Sequence, residues 1–349
     1  MEQDRIFRFG LVGCGRISKN HIEALKQLSG RAEIVAVCDP VIERAKAAAE
    51  NAGGDVEVMS NYEALLARDD IDVVSVATPS GLHPMHGKMA AEAGKHCVLE
   101  KPIGTNLREV DEMIRAFDRS GTGLFVIKQN RLNTTLQLLK KAVDKGRFGR
   151  IYFAEVNVFW ARDQKYYDQA KWRGTWEFDG GAFSNQASHY VDALHWLVGE
   201  VDSVMAMTGT LARRIEAEDT GAAVIKFRNG AMGTINVTML TYPRNFEGSI
   251  TIIGEKGTAK VGGIAVNRID KWEFAEYDDD DKLIEQANYT PPNVYGFGHL
   301  GYYEKVLDAL SSSGEPDIDG RGGRKSLELI LAIYKSAKEE RRVALPLDV

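Results

Sequence analysis

The first third of the chain alternates short, almost wholly apolar runs with segments whose apolar positions recur every three or four residues. Continuous apolar runs mark strands buried on both faces, and the longer period marks amphipathic helices packed on them. Residues 7–12 form the first run, and Ile22, Leu25 and Leu28 follow at helical spacing. Further strands are predicted over 32–37, 56–59, 73–77, 97–99 and 124–128, with helices over 62–67, 84–93 and 107–119. Strand followed by helix throughout predicts a doubly wound α/β domain of six parallel strands over residues 1–128.

From residue 151 the pattern changes to alternating strands, predicted over 151–160, 203–209, 222–227, 231–239 and 249–253. Asn229-Gly230 is a two-residue hairpin signal, and Gly254-Glu255-Lys256-Gly257 reads as a second turn, so neighbouring strands are expected to run antiparallel. Residues 129–349 are thus expected to form an α+β domain with a large open-faced, mainly antiparallel sheet, with helices over 298–310 and 324–340 packing back. Helix covers only one face of such a sheet, which predicts a homo-oligomer, dimer or tetramer, joined through the other.

The chemistry collects at the predicted strand ends. Gly13-Cys14-Gly15-Arg16-Ile17-Ser18 joins the first strand to the first helix, where a tight turn and a free helix N-terminus suit a pyrophosphate; Gly13, Gly15, Arg16 and Ile17 are assigned to the cofactor. The second strand runs to Asp39, 24 residues beyond Gly15, near the distance expected of an acid that binds the adenosine ribose and repels a 2′-phosphate. This favours NAD and a Rossmann domain. Thr78, Ser80 and His83 follow the fourth strand and Glu100-Lys101-Pro102 the fifth, at the same carboxyl edge, with Lys101 expected beside the nicotinamide. In the second half, Gly180-Gly181 leads into a stretch in which Asn185, His189 and Asp192 are four and three residues apart, a spacing that predicts one shared helical face.

Composition narrows the partners. The 349 residues carry a net charge of −6 without a basic patch, which gives nucleic-acid binding no electrostatic support. The charged start and the absence of a long apolar run predict neither signal peptide nor membrane span, and Cys14, Cys38 and Cys97 form no metal or disulfide pattern, so a reducing, cytoplasmic setting is expected. His83-x-x-His86 lacks a third ligand nearby, so no metal is expected, and the acidic run 278–281, without calcium-loop spacing, reads as a solvated turn.

Gly13-x-Gly15, Asp39, Glu100-Lys101-Pro102 and the Gly-Gly stretch followed by His189-x-x-Asp192 together resemble the Gfo/Idh/MocA oxidoreductases over nearly the whole chain. The resemblance implies catalytic roles for Lys101 and His189, and leaves open which is the primary base. The family's usual aspartate four residues before that histidine is Asn185 here; an amide shuttles no proton, so a substrate-orienting role is expected. Residues 162–167, 171–176, 184–186 and 294–299 resemble more narrowly the UDP-N-acetylglucosaminuronate 3-dehydrogenases of bacterial surface-polysaccharide (lipopolysaccharide) biosynthesis. That branch implies a nucleotide-sugar substrate held by Arg162, Lys165, Tyr166, Arg173, Asn185, His189 and Tyr295, and NADH reoxidised by 2-oxoglutarate. The fold equally serves other sugar or polyol dehydrogenases and NAD-dependent glycosidases.

Overall fold

A computed structural model describes residues 5–290, 298–311 and 319–348. The chain divides into two compact units, residues 1–128 with 299–324, and residues 129–298 with 325–349. Where the sequence reading draws one boundary, after residue 128, the chain also returns 299–324 to the first unit.

In the first unit, β1 (Phe7–Val12), β2 (Ala32–Cys38), β3 (Glu57–Met59), β4 (Val73–Val76), β5 (His96–Leu99) and β6 (Leu124–Val126) form a parallel sheet in the order β3-β2-β1-β4-β5-β6. All four residues of β4 are buried, as expected of a central strand covered on both faces. The helices α1 (Ser18–Gln27), α2 (Ile42–Ala52), α3 (Tyr62–Leu66), α4 (His83–Glu92) and α5 (Leu107–Ser120) fill the crossovers. Local chemistry bounds α5: Asn106 accepts a bond from the Glu109 N–H at one end, and Gly121 adopts φ +71° at the other. Strand order reverses between β1 and β4, and there a doubly wound sheet opens its ligand crevice.

The second unit contains α6 (Thr134–Asp144), β7 (Ile151–Phe159), α7 (Gln164–Asp168), a π-helical turn (Ala182–Gln186), α8 (Ser188–Val198), β8 (Val201–Gly209), β9 (Thr220–Phe227), β10 (Met232–Thr238), β11 (Glu247–Gly254), β12 (Gly257–Gly262), β13 (Arg268–Phe274) and the short α9 (Ile284–Ala287). The eight-stranded sheet runs β13-β12-β11-β7-β10-β9-β8-β14, with β14 at Val343–Ala344. Only β7 and β10 pair in parallel; the other pairs are antiparallel. Asn229-Gly230 makes the expected β9–β10 hairpin, Gly230 at φ +90°. Helices α10 (Gly298–Ser311) and α11 (Gly320–Glu339) complete the chain, α11 beginning four residues before its expected start.

One face of this sheet is packed: Ala223, Ile225 and Phe227 of β9 and Ile235 and Val237 of β10 are buried together with Val191, Leu194 and Leu197 of α8. The other face is open over β8–β10, where Met207 80%, Val224 58%, Met232 57% and Met205 54% are accessible beside the exposed Lys226. The acidic run is not a free solvated turn: Asp278 and Asp280 pair with Lys145 and Lys141, while Asp281 accepts from Arg147 and from the Trp272 indole at 2.7 Å. No helix among the described residues is long and apolar enough to cross a membrane.

Candidate active site

At the head of the crevice, Gly13 adopts φ +89°, and a Cβ there would lie 2.7 Å from the Ala77 backbone, so no other residue fits the turn. A Cβ on Gly15 would meet nothing within 4 Å; its backbone faces open space, as close approach of a pyrophosphate requires. No side chain caps α1, although backbone carbonyls already take two N–H groups of its first turn, Ser18 to Gly15 at 3.2 Å and Asn20 to Ile17 at 3.0 Å. Arg16 is exposed and Ile17 half-buried beside them. Asp39 is buried at the end of β2: one oxygen accepts from the Cys14 N–H at 2.9 Å and the other from the Val41 N–H at 2.8 Å. It therefore braces the glycine turn and keeps a lone pair on each oxygen for ribose hydroxyls.

The expected nicotinamide side divides differently. The Thr78 hydroxyl bonds His86 Nδ1 at 3.0 Å, and Ser80 is buried at the head of the turn leading into α4. His83, expected at the cofactor edge, is instead buried, its Nδ1 2.7 Å from the Pro102 carbonyl and its Nε2 2.8 Å from that of Thr78. It ties the end of β4 to the end of β5. Burial pushes its pKa below the ordinary histidine value, so the neutral ring donates to one carbonyl at a time. Glu100 likewise does not stand open at the crevice mouth; it is buried, with its Oε1 3.2 Å from His21 Nε2 and 3.3 Å from His299 Nε2, while Oε2 accepts from the Lys101 N–H at 3.0 Å. Lys101 is half-buried and follows it directly.

In the second unit, Gly180 and Gly181 adopt φ +78° and +85°, and a Cβ on Gly181 would overlap Glu218. The expected single helical face is not formed: Asn185 lies in the π-helical turn and His189 in α8, the two joined at Ala187, so four-residue spacing no longer stacks their side chains. The Asn185 amide instead donates to Asp179, whose other oxygen accepts from the Gly174 N–H at 2.7 Å. Asp192 accepts from Arg131 at 2.7 and 2.9 Å and from Ser326 at 2.8 Å, a structural clamp.

Arg162, Tyr166, Arg173 and Asn185 gather around a residue that sequence reasoning did not select, Gln186. Its carbonyl accepts from Arg162 Nε at 3.0 Å, and its amide donates to the Tyr166 hydroxyl at 2.9 Å and to the Asn185 carbonyl at 3.0 Å. The Arg173 guanidinium lies 4.3 Å from the centre of the Tyr166 ring and 4.9 Å from that of Trp172. Its Nε is buried without a hydrogen-bond partner among the described residues. Lys165 is exposed and belongs to none of these bonds, and Tyr295 lies outside the described residues.

Beneath the π-helical turn is a second missed group, Glu218. Its Oε1 meets the Phe183 N–H at 2.8 Å and the Tyr334 hydroxyl at 2.9 Å, and burial raises its pKa to about 8. The Tyr334 hydroxyl also faces the Gly180 carbonyl, which only accepts. Tyr334 has one proton to give, so satisfying both contacts requires Glu218 to supply the other. Geometry and burial agree on a neutral carboxyl.

Residues 7–128 match the NAD-binding Rossmann fold of the Gfo/Idh/MocA oxidoreductase family, and residues 140–345 match the family's C-terminal alpha/beta domain. The WlbA dehydrogenase of Bordetella pertussis, crystallised with NADH and UDP-GlcNAcA, is 58% identical over 99% of both chains, with a TM-score of 0.95. The WlbA dehydrogenase of Chromobacterium violaceum, in complex with the same two ligands, is 54% identical over 99% of this chain and 98% of that one, with a TM-score of 0.94. The myo-inositol 2-dehydrogenase of Thermotoga maritima is 26% identical, spanning 97% of this chain and 98% of its own. The chain therefore belongs to the Gfo/Idh/MocA family and is an NAD-dependent sugar dehydrogenase acting on CH–OH groups.

Proposed function

We propose that this enzyme oxidises the C3 hydroxyl of UDP-N-acetylglucosaminuronate to the 3-keto sugar, in the cytoplasm, on a route to bacterial surface polysaccharide. The observation that carries the reading is the 58% identity, along 99% of both chains, with a dehydrogenase crystallised with NADH and that nucleotide sugar. The relatives at 26% identity act on other polyols and sugars, as their names, myo-inositol 2-dehydrogenase and D-apiose dehydrogenase, state.

The residues suit an anionic sugar. Arg173 Nε is a buried donor that a carboxylate or phosphate oxygen would satisfy, and its guanidinium lies over the Tyr166 and Trp172 rings. Gln186 holds Arg162 and Tyr166 in one hydrogen-bonded set with Asn185, which orients the substrate rather than moving a proton. NAD, when bound, supplies the hydride acceptor. Gly13, Gly15 and the first turn of α1 bind its pyrophosphate, and Asp39 its adenosine ribose. Lys101 and His189 carry proton transfer from the C3 hydroxyl, and the NADH formed is reoxidised by 2-oxoglutarate. The exposed Met205, Met207, Val224 and Met232 face is the surface through which copies of the chain pair into a dimer or tetramer.

Incubation of the purified enzyme with NAD and either UDP-N-acetylglucosaminuronate or UDP-N-acetylglucosamine, with and without 2-oxoglutarate, tests the reading by mass spectrometry. Loss of two hydrogens from the uronate alone, with the nucleotide attached, is expected. Equal oxidation of the sugar lacking the carboxylate would remove the role given to the arginines, and sugar released from UDP would point to a glycosidase.

A further inference from the structure

Five buried polar side chains of the first unit form one continuous chain of hydrogen bonds that proton transfer from a sugar hydroxyl does not use. The Ser75 and Tyr303 hydroxyls lie 2.7 Å apart, and Tyr303 is 2.7 Å from His21 Nδ1. His21 Nε2 and His299 Nε2 both meet Glu100 Oε1, and the backbone N–H of Lys101 meets Oε2. Donor counting fixes the protons. A carboxylate accepts all three N–H groups; His21 then carries its proton on Nε2, Tyr303 donates to His21 Nδ1, and Ser75 donates to Tyr303. Burial alone opposes the charge on Glu100, yet the bonds from His21 and His299 outweigh it and hold the carboxyl well below the usual range, while burial pushes His21 down and keeps it neutral. Glu100 is thus the anion of the set, held by donors from His21, His299 and the Lys101 backbone.

Glu100 follows β5, on the half of the sheet beyond the β1/β4 reversal that serves the nicotinamide mononucleotide, as β1 and β2 serve the adenosine. The nicotinamide ring is cationic in NAD+ and neutral in NADH. We propose that Glu100, held by His21 and His299, is a fixed anion that favours the oxidised cofactor and so sets the poise of the bound couple. The inference rests on the placement of the dinucleotide in this crevice. It also gives a role to His299, which ends the 294–299 motif and otherwise has none. A change of about fivefold in the ratio of the two affinities is equivalent to about 20 mV for a two-electron couple.

The test is calorimetric measurement of the dissociation constants of NAD+ and NADH for the wild type, Glu100→Gln and Tyr303→Phe, with metal content determined on the same samples. Glu100→Gln removes the charge and is expected to weaken NAD+ about fivefold relative to NADH. Tyr303→Phe disturbs the same hydrogen bonds without removing charge, and its ratio is expected to stay within twofold of wild type even where both affinities fall. If Glu100→Gln does not fold, His299→Lys, which sets a permanent positive charge beside Glu100, is expected to move the ratio the same way. A ratio unchanged in the charge-altering variant would overturn the proposal, as would a stoichiometric metal ion, whose charge would replace the two histidine protons at Glu100. Failure of the wild type to bind either form would instead overturn the cofactor placement.

Discussion

Glu218→Gln tests whether burial fixes the protonation of the group beneath the substrate turn. An unperturbed glutamic acid titrates near 4.5, and Glu218 at about 8. Between those values the folded chain holds a proton that the unfolded chain has released. A raised folded pKa gives stability that is full below the unfolded value and lost as pH rises through the folded one, at about 1.4 kcal/mol per pH unit. From pH 6 to 8 the loss assigned to this one group is about 2–3 kcal/mol. Glutamine keeps the acceptor for the Phe183 N–H but cannot titrate, and its amide N–H₂, set against Gly181 without a partner, lowers stability by about 1–3 kcal/mol at acid pH. The two stability curves should therefore converge as pH rises. All five tryptophans, Trp160, Trp172, Trp176, Trp196 and Trp272, lie in the second unit, so their fluorescence during urea denaturation reports the unit that contains Glu218. Parallel curves for the two proteins between pH 6 and 8 would refute the neutral carboxyl and the donor count at Tyr334.

Three other outcomes follow from the same structure. Lys101→Met should lower kcat by at least a hundredfold while NAD binding, followed by fluorescence titration, changes less than threefold; near-normal turnover would leave His189 as the base. Asp39→Ala should weaken NAD more than NADP and also loosen the glycine turn through the lost Cys14 bond, and equal affinities in the wild type would contradict the ribose role. Met207→Asp with Val224→Asp places two charges on the open face and should convert an oligomer to a monomer by light scattering without loss of fold, since both side chains are more than half exposed.

The parts of this molecule that sequence reveals are those whose chemistry is local. Gly13 and Asp39 could be read because a turn needing φ +89° and an acid at the end of the next strand lie at distances set by the β1-α1-β2 unit itself. The alternation of β9 was visible because it buries every second residue, whereas β13 packs Ile269, Trp272 and Phe274 on the core out of step, since a register irregularity at Asp270 breaks its period. Counting i and i+4 placed Asn185 over His189, but that spacing assumes an unbroken α-helix, and the π-helical turn forced by Gly180, Gly181 and the underlying Glu218 breaks it. Glu100 showed its identity but not its surroundings, since His21 and His299 reach it from 79 and 199 residues away. Gln186 fell within the 184–186 motif but was given no role, because nothing in its own neighbourhood distinguishes a linking amide from a surface one; Arg162, 24 residues earlier, does.

The most direct measurement of the proposed reaction uses UDP-N-acetylglucosaminuronate carrying deuterium at C3, with NAD in a single turnover followed by mass spectrometry of both products. Transfer of the deuterium to the nicotinamide, with a 3-keto sugar still attached to UDP and a slower rate than for the unlabelled sugar, is the predicted result. Deuterium retained in the sugar while NADH forms would contradict oxidation at C3.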